Sequence, residues 1–116
     1  MSAPERPEAD VAAGPRLDLP EPPDLHRLRR RIDALDRRIV ALLNERAALA
    51  LAVGRAKRAA GWAAVRDVER ERDVLDRVAA ANAGPLPEAD LRAIYERIIA
   101  ASRALEADRN GLDEEA

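Results

Sequence analysis

Arg46 stands where a regular apolar pattern asks for a hydrophobic side chain. Leu28, Ile32, Leu35, Ile39, Leu42, Arg46, Leu49, Val53, Ala56 and Ala60 are spaced alternately by four and three, the a/d seam of a coiled coil. A guanidinium on that seam is costly to bury without an anion. A carboxylate on another helix would satisfy it, as would a register-setting role or a bound acid. Lys57 lies eleven residues further on. At 100° per residue that is about 20° from Arg46 on the same face and about 16 Å along the axis. Two long cationic side chains so placed can converge on one small object between them.

Arg29 borders the same seam, but it sits seventeen residues before Arg46, roughly 25 Å away and on a rotated azimuth. It cannot reach the same small ligand from the same chain. An antiparallel second copy would bring Arg29 of one subunit close to Arg46 of the other. Taken alone, it also reads as a solvated charge in the basic run Arg27-Leu28-Arg29-Arg30-Arg31. Asp67 and Glu71 share a face at i, i+4, with Arg70 beside them. Asp67 equally suits a helix N-cap, and Glu71 a surface ion pair. Ser102 and Glu106 repeat the i, i+4 spacing further on, and Glu106 falls about 20° from Tyr95 and Ile99 on an apolar face. A glutamate there has to be paired, protonated, functional, or solvated at a helix end. The chain has no Ser-His-Asp arrangement, no metal-spaced histidines and no glycine-rich phosphate loop. Cations, carboxylates and a hydroxyl without an evident nucleophile fit chemistry done by positioning and electrostatics.

The elements that must carry these residues are helical. Asp24 suits an N-cap after Pro22 and Pro23, and Gly61 a C-cap, which predicts a first helix over about Leu25–Ala60. It would be roughly 54 Å long, more than the diameter of any globule this chain could form alone, so it must lie against a partner, most simply a copy of itself. Gly61 to Arg66 breaks the pattern. A second helix is predicted from Asp67 to about Asn82, with Val68, Leu75, Val78 and Ala79 as its apolar stripe. After the Ala83-Gly84-Pro85 turn a third runs from Pro87 to about Ala107, with Leu91, Ile94, Tyr95, Ile98, Ile99, Ser102 and Leu105 inward. No strand alternation occurs. The fold class is all-α, and the expected domain is 24–107, between a disordered Pro-rich tail (1–23) and a flexible acidic tail (108–116).

Composition narrows the function. Six of the eight prolines fall in the first 24 residues, leaving about 85 to fold, and a domain that small is commonly stabilised by oligomerisation. There is no Cys, one His and no Phe, with Trp62 and Tyr95 the only aromatics. Disulfides and thiolate metal sites are excluded, and a base-stacking nucleic-acid surface is disfavoured. A net charge of -2 on a 36% charged chain of interleaved sign gives no electrostatic reason to expect nucleic acid or an anionic membrane. No run approaches the roughly 20 apolar residues of a membrane span, and the N-terminus has no apolar signal region, so a cytoplasmic location is expected.

Leu28-Arg29-Arg30-Arg31-Ile32-Asp33-Ala34-Leu35-Asp36, Leu42-Leu43-Asn44-Glu45-Arg46, Val53-Gly54-Arg55-Ala56-Lys57, Val65-Arg66-Asp67-Val68-Glu69-Arg70-Glu71 and Ile98-Ile99-Ala100-Ala101-Ser102 occur in this order and spacing. Together they resemble the all-helical (type II) chorismate mutases over about Leu25 to Glu106. The resemblance implies an intertwined, antiparallel homodimer of three-helix subunits whose two sites each draw on both chains. It also implies rearrangement of chorismate to prephenate by a pericyclic [3,3] shift, without cofactor or metal, on the way to phenylalanine and tyrosine. Arg46 and the second subunit's Arg29 would grip the two substrate carboxylates. Lys57 would donate to the ether oxygen, Glu71 with Asp67 would hold the ring hydroxyl, and Arg70 and Ser102 would support the carboxylates. Many members carry Gln where this chain has Glu106, although others have Glu. A protonated Glu106 could donate to the ether oxygen and an ionised one would repel it, so burial is expected to keep it protonated, with Lys57 pulling the other way. Same-fold alternatives are an isochorismate pyruvate lyase or an amino-deoxychorismate mutase. The Asp67-to-Glu71 segment favours the hydroxylated substrate. A non-catalytic helical dimerisation or regulatory module would explain the heptads but not Arg46, Lys57, Ser102 and Glu106.

Overall fold

The computed structural model describes residues 22–62 and 66–115, and within them every regular element is an α-helix. Helix α1 spans Pro23–Ala59, α2 Val68–Ala81 and α3 Glu88–Glu115. The Pro-rich stretch 1–21, residues 63–65 of the predicted break and residue 116 lie outside the described residues.

Arginine, alanine and leucine dominate α1, and it contains no proline after its first residue. Pro23 itself takes the first helical position, where a missing N–H costs nothing. That corrects the expected cap. Asp24 falls inside the first turn, where it accepts a hydrogen bond from Arg27 Nη2 at 2.6 Å and faces the positive end of the helix dipole. The other end stops as its sequence implies. Gly61 adopts φ +80°, its N–H donates to Arg58 O at 3.0 Å, and Trp62 N–H donates to Lys57 O at 2.9 Å. This paired arrangement satisfies carbonyls that the helix leaves open, and it needs a left-handed residue at Gly61.

Asp67 caps α2 by accepting from Arg70 N–H at 2.9 Å, and Asn82 closes it, its own N–H donating to Ala79 O at 3.2 Å. The Asn82 side chain then builds the turn toward α3, donating to Leu86 O at 2.8 Å and accepting from Gly84 N–H at 2.9 Å. Helix α3 does not stop near Ala107; it continues to Glu115. No proline follows Ala107, and the single Gly111 costs only about 1 kcal/mol, too little to break a helix already under way.

The chain divides into two units, Met1–Arg37 and Arg38–Ala116, with the boundary inside α1. The described part of the first is helical and carries Leu28, Ile32 and Leu35, each about half exposed. In the second, α2 and α3 pack together, and Arg92 of α3 pairs with Asp76 of α2 at 3.3 Å. Its apolar content is thinly covered. Among the described residues only Gly54 and Ile99 are buried, and the seam positions Ile39, Leu42, Leu49 and Val53 are 50–63% exposed. Two expected inward residues also face out: Ile94 and Val68 are about half exposed. A single chain has too few layers to cover every apolar stripe its helices present. No described helix is long and apolar enough to cross a membrane.

Candidate active site

Three helices of the second unit meet around a cavity of about 300 Å³. Helix α1 supplies Arg46, Leu49, Ala50, Val53 and Lys57; the start of α2 supplies Asp67, Arg70, Glu71 and Val74, with Arg66 just before it; α3 supplies Ile99, Ser102, Arg103 and Glu106. The apolar members form the wall, and the polar ones point charge into a partly desolvated space where it counts for more than in water. Of the eight residues singled out in the sequence, seven line this cavity. Arg29 does not; it is an exposed residue of the first unit.

The geometry gives each a definite setting. Arg46 Nη1 donates to Ser102 Oγ at 3.2 Å, joining α1 to α3. A neutral hydroxyl leaves the guanidinium charge uncompensated, and among the described residues neither Arg46 nor Lys57 pairs with a carboxylate. Asp67 spends one carboxylate oxygen on capping α2 and still borders the cavity. Arg70 lines the cavity while its Nη1 donates to Asp73 Oδ2 at 3.1 Å. Glu106 lies over Gly54: a Cβ added there would stand 3.3 Å from Glu106 Oε1. The buried glycine of α1 is what lets the α3 carboxylate come so close.

Glu71 is the most heavily bonded acid of the site. Arg66 Nε reaches both its oxygens, at 3.1 and 3.2 Å, and Arg66 Nη2 reaches Oε1 at 2.8 Å. Arg103 Nη1 donates to Oε2 at 2.7 Å from α3. The hydrogen bonds from Arg66, and then those and the charge of Arg103, hold the Glu71 carboxyl below the usual carboxylate range, against the upward push of its partial burial. The same pairing raises the Arg66 guanidinium. Arg66 and Arg103 are the functional neighbours that sequence reasoning missed. Arg66 was visible only as part of a motif, and nothing in helical periodicity links Arg103 to an acid 32 residues away. Gly54, Val74 and Arg103 owe their place to helix packing.

Residues 28–107 match the family model for chorismate mutase type II. The chain belongs to that family. Solved structures agree with the assignment: a chorismate mutase of Thermus thermophilus in its form II superposes with TM-score 0.68 at 33% identity, covering 72% of this chain and 94% of that one. Among curated relatives, the bifunctional chorismate mutase/prephenate dehydratase of Aquifex aeolicus is 38% identical over 87 residues, 72% of this chain and 24% of that protein. The bifunctional enzyme of the same name from Neisseria gonorrhoeae is 40% identical over 78 residues, 67% of this chain and 21% of that protein. The chain thus spans about a quarter of the length of these curated relatives, and nearly the whole of the Thermus structure. For this type II chorismate mutase family member, the cation-rich cavity between α1, α2 and α3 is the place to look for the family's chemistry.

Proposed function

We propose that this chain rearranges chorismate to prephenate in a site completed by a second copy of itself. The observation that supports this best is the cavity's unbalanced charge. Arg46, Lys57, Arg66, Arg70 and Arg103 face Asp67, Glu71 and Glu106 there, five cations against three acids. The two of these that pair with no carboxylate among the described residues, Arg46 and Lys57, lie on α1, and Arg46 donates to Ser102 of α3. A doubly negative guest fits that surplus.

In this reading Arg46, oriented by Ser102, takes one substrate carboxylate, and Arg29 of a second copy takes the other through fork-like, charge-assisted hydrogen bonds. Lys57 donates to the ether oxygen, which gains negative charge as the C–O bond lengthens. Glu106 faces the same end of the cavity from α3. Arg70 supports the carboxylate end, and Glu71, with Asp67 beside it, accepts from the ring hydroxyl at the other. No bond to the protein forms. The site holds the compact conformer in which the two reacting carbons approach, and its donors are already in place for the charge-separated transition state.

The uncovered seam supports the second copy. A 37-residue helix with half-exposed leucine, isoleucine and valine along one stripe buries that area against an identical antiparallel helix, a self-complementary two-fold contact. The folding domain of this reading is 24–107, and its working compartment is the cytoplasm.

The test is an assay of the purified chain with chorismate, following loss of substrate absorbance and identifying the product. Prephenate is expected. Pyruvate would point instead to a lyase, and an unchanged substrate to a non-catalytic helical module. Arg46→Ala and Lys57→Ala should each lower kcat/KM by about a hundredfold or more, in line with the removal of one preorganised charge.

A further inference from the structure

Arg103 reaches out of α3 to a carboxylate on a different helix, and both side chains border the cavity. Its Nη1 sits 2.7 Å from Glu71 Oε2, the shortest of the bonds that Glu71 receives. The Glu71 side chain is 18% exposed and that of Arg103 40%. Arg66, five residues before Glu71 and next to the start of α2, pulls from the chain's own neighbourhood and favours Oε1. That fork touches both oxygens but ties the carboxylate only to residues next to it in the chain, and its contact with Oε2, at 3.2 Å, is the longest of the set. A second clamp anchored in a separate helix fixes both plane and position. Three N–H groups bond this carboxylate, the Arg66 Nε–H being shared between both oxygens, so of about four acceptor sites roughly one is left for a further donor.

Ser102 and Arg103 are consecutive, and consecutive helical residues diverge by 100°. One therefore turns toward α1, where it takes Arg46, and the other toward α2, where it takes Glu71. A single turn of α3 orders a cation on one side of the cavity and an acceptor on the other.

We propose that Arg103 is a positioning residue, which holds Oε2 of Glu71 so that the carboxylate's remaining acceptor site is presented to the ring hydroxyl of the substrate. This rests on the chorismate reading above and adds to it a residue that sets recognition of the hydroxyl end. Arg103 acts through Glu71, not on the reacting atoms.

The experiment compares kcat and KM of the wild type, Arg103→Ala, Arg103→Lys, Glu71→Gln and the Arg103→Ala/Glu71→Gln double variant. Each is tried on chorismate and on a chorismate analogue lacking the ring hydroxyl. Arg103→Ala is expected to lower kcat/KM on chorismate about tenfold, a misplacement effect. On the analogue it should change kcat/KM by less than about twofold, because the group that Glu71 receives is gone. Arg103→Lys should recover part of the loss, since an ammonium restores charge but not the planar fork. In the Glu71→Gln background, Arg103→Ala should add nothing further. Equal losses on both substrates, losses that multiply in the double variant, or an Arg103→Ala enzyme as fast as wild type would each overturn the proposal. A wild type that leaves chorismate untouched would overturn the functional reading and this role together, and is thereby distinguishable from failure of Arg103 alone.

Discussion

Individual side chains in this site are tuned by what stands within 3 or 4 Å of them, and two consequences can be measured. Glu71 has its carboxyl lowered by Arg66 and Arg103. A group whose folded-state pKa is depressed stabilises the fold above its unfolded value, near 4.3 for glutamate, and that stability is lost as the pH falls through the folded value. The melting-temperature difference between wild type and Glu71→Gln is therefore expected to stay flat from pH 5 to 9 and to shrink only in acid, below about pH 4. Glu71 then contributes nothing to a pH-rate profile near neutrality. Gly54→Ala separates activity from stability. The added methyl meets Glu106 Oε1 at 3.3 Å, so the carboxylate must move by a few tenths of an ångström. Alanine is meanwhile the better helix former by about 1 kcal/mol. The expected result is an unchanged or higher melting temperature with a severalfold lower kcat/KM.

At the scale of elements, the helix ends carry the information. The long seam announced α1, and its close was legible because Gly61 combines a left-handed backbone with the two hydrogen bonds of a Schellman turn. A Cβ at Gly61 would meet nothing within 4 Å, so the cost of Gly61→Ala is purely conformational. It should be about 1–2 kcal/mol, read as a lower denaturation midpoint. The Asp67 cap was equally visible, an acid directly before an apolar-periodic stretch. The two misjudged ends share a cause. Asp24 was displaced from the cap by a proline that itself starts the helix, and α3 passed Ala107 because a polar sequence without proline ends nothing by itself. Helix termini are chosen by competition among neighbours within a few tenths of a kcal/mol, so they are harder to read than helix interiors.

For the whole molecule, the decisive fact is how little a single chain buries. With Gly54 and Ile99 the only buried residues described, stability and activity are expected to depend on the association of two copies, and the melting temperature to rise with protein concentration. Complementation tests the shared site directly. Arg29→Ala and Arg46→Ala should each be nearly inactive yet dimeric. Mixed and allowed to exchange, they should regain activity, because one of the two sites in each mixed dimer carries both arginines. Exchange without any recovery would rule out an Arg29 that crosses between subunits.

Some properties here are local, and the sequence alone determined them. Periodicity settles which stretches are helical and which face is apolar, since both depend on residues three and four apart. A seam interrupted by Arg46, with Lys57 on the same face eleven residues later, already marked two of the cations that line the cavity. Family membership was legible too, because several short motifs kept their order and spacing. Only the tertiary structure decided which groups from different helices meet: Ser102 under Arg46, Glu106 over Gly54, and Arg103 against Glu71. Such meetings depend on the rotation and offset of one helix against another, which packing of whole faces sets and no spacing within a single helix encodes.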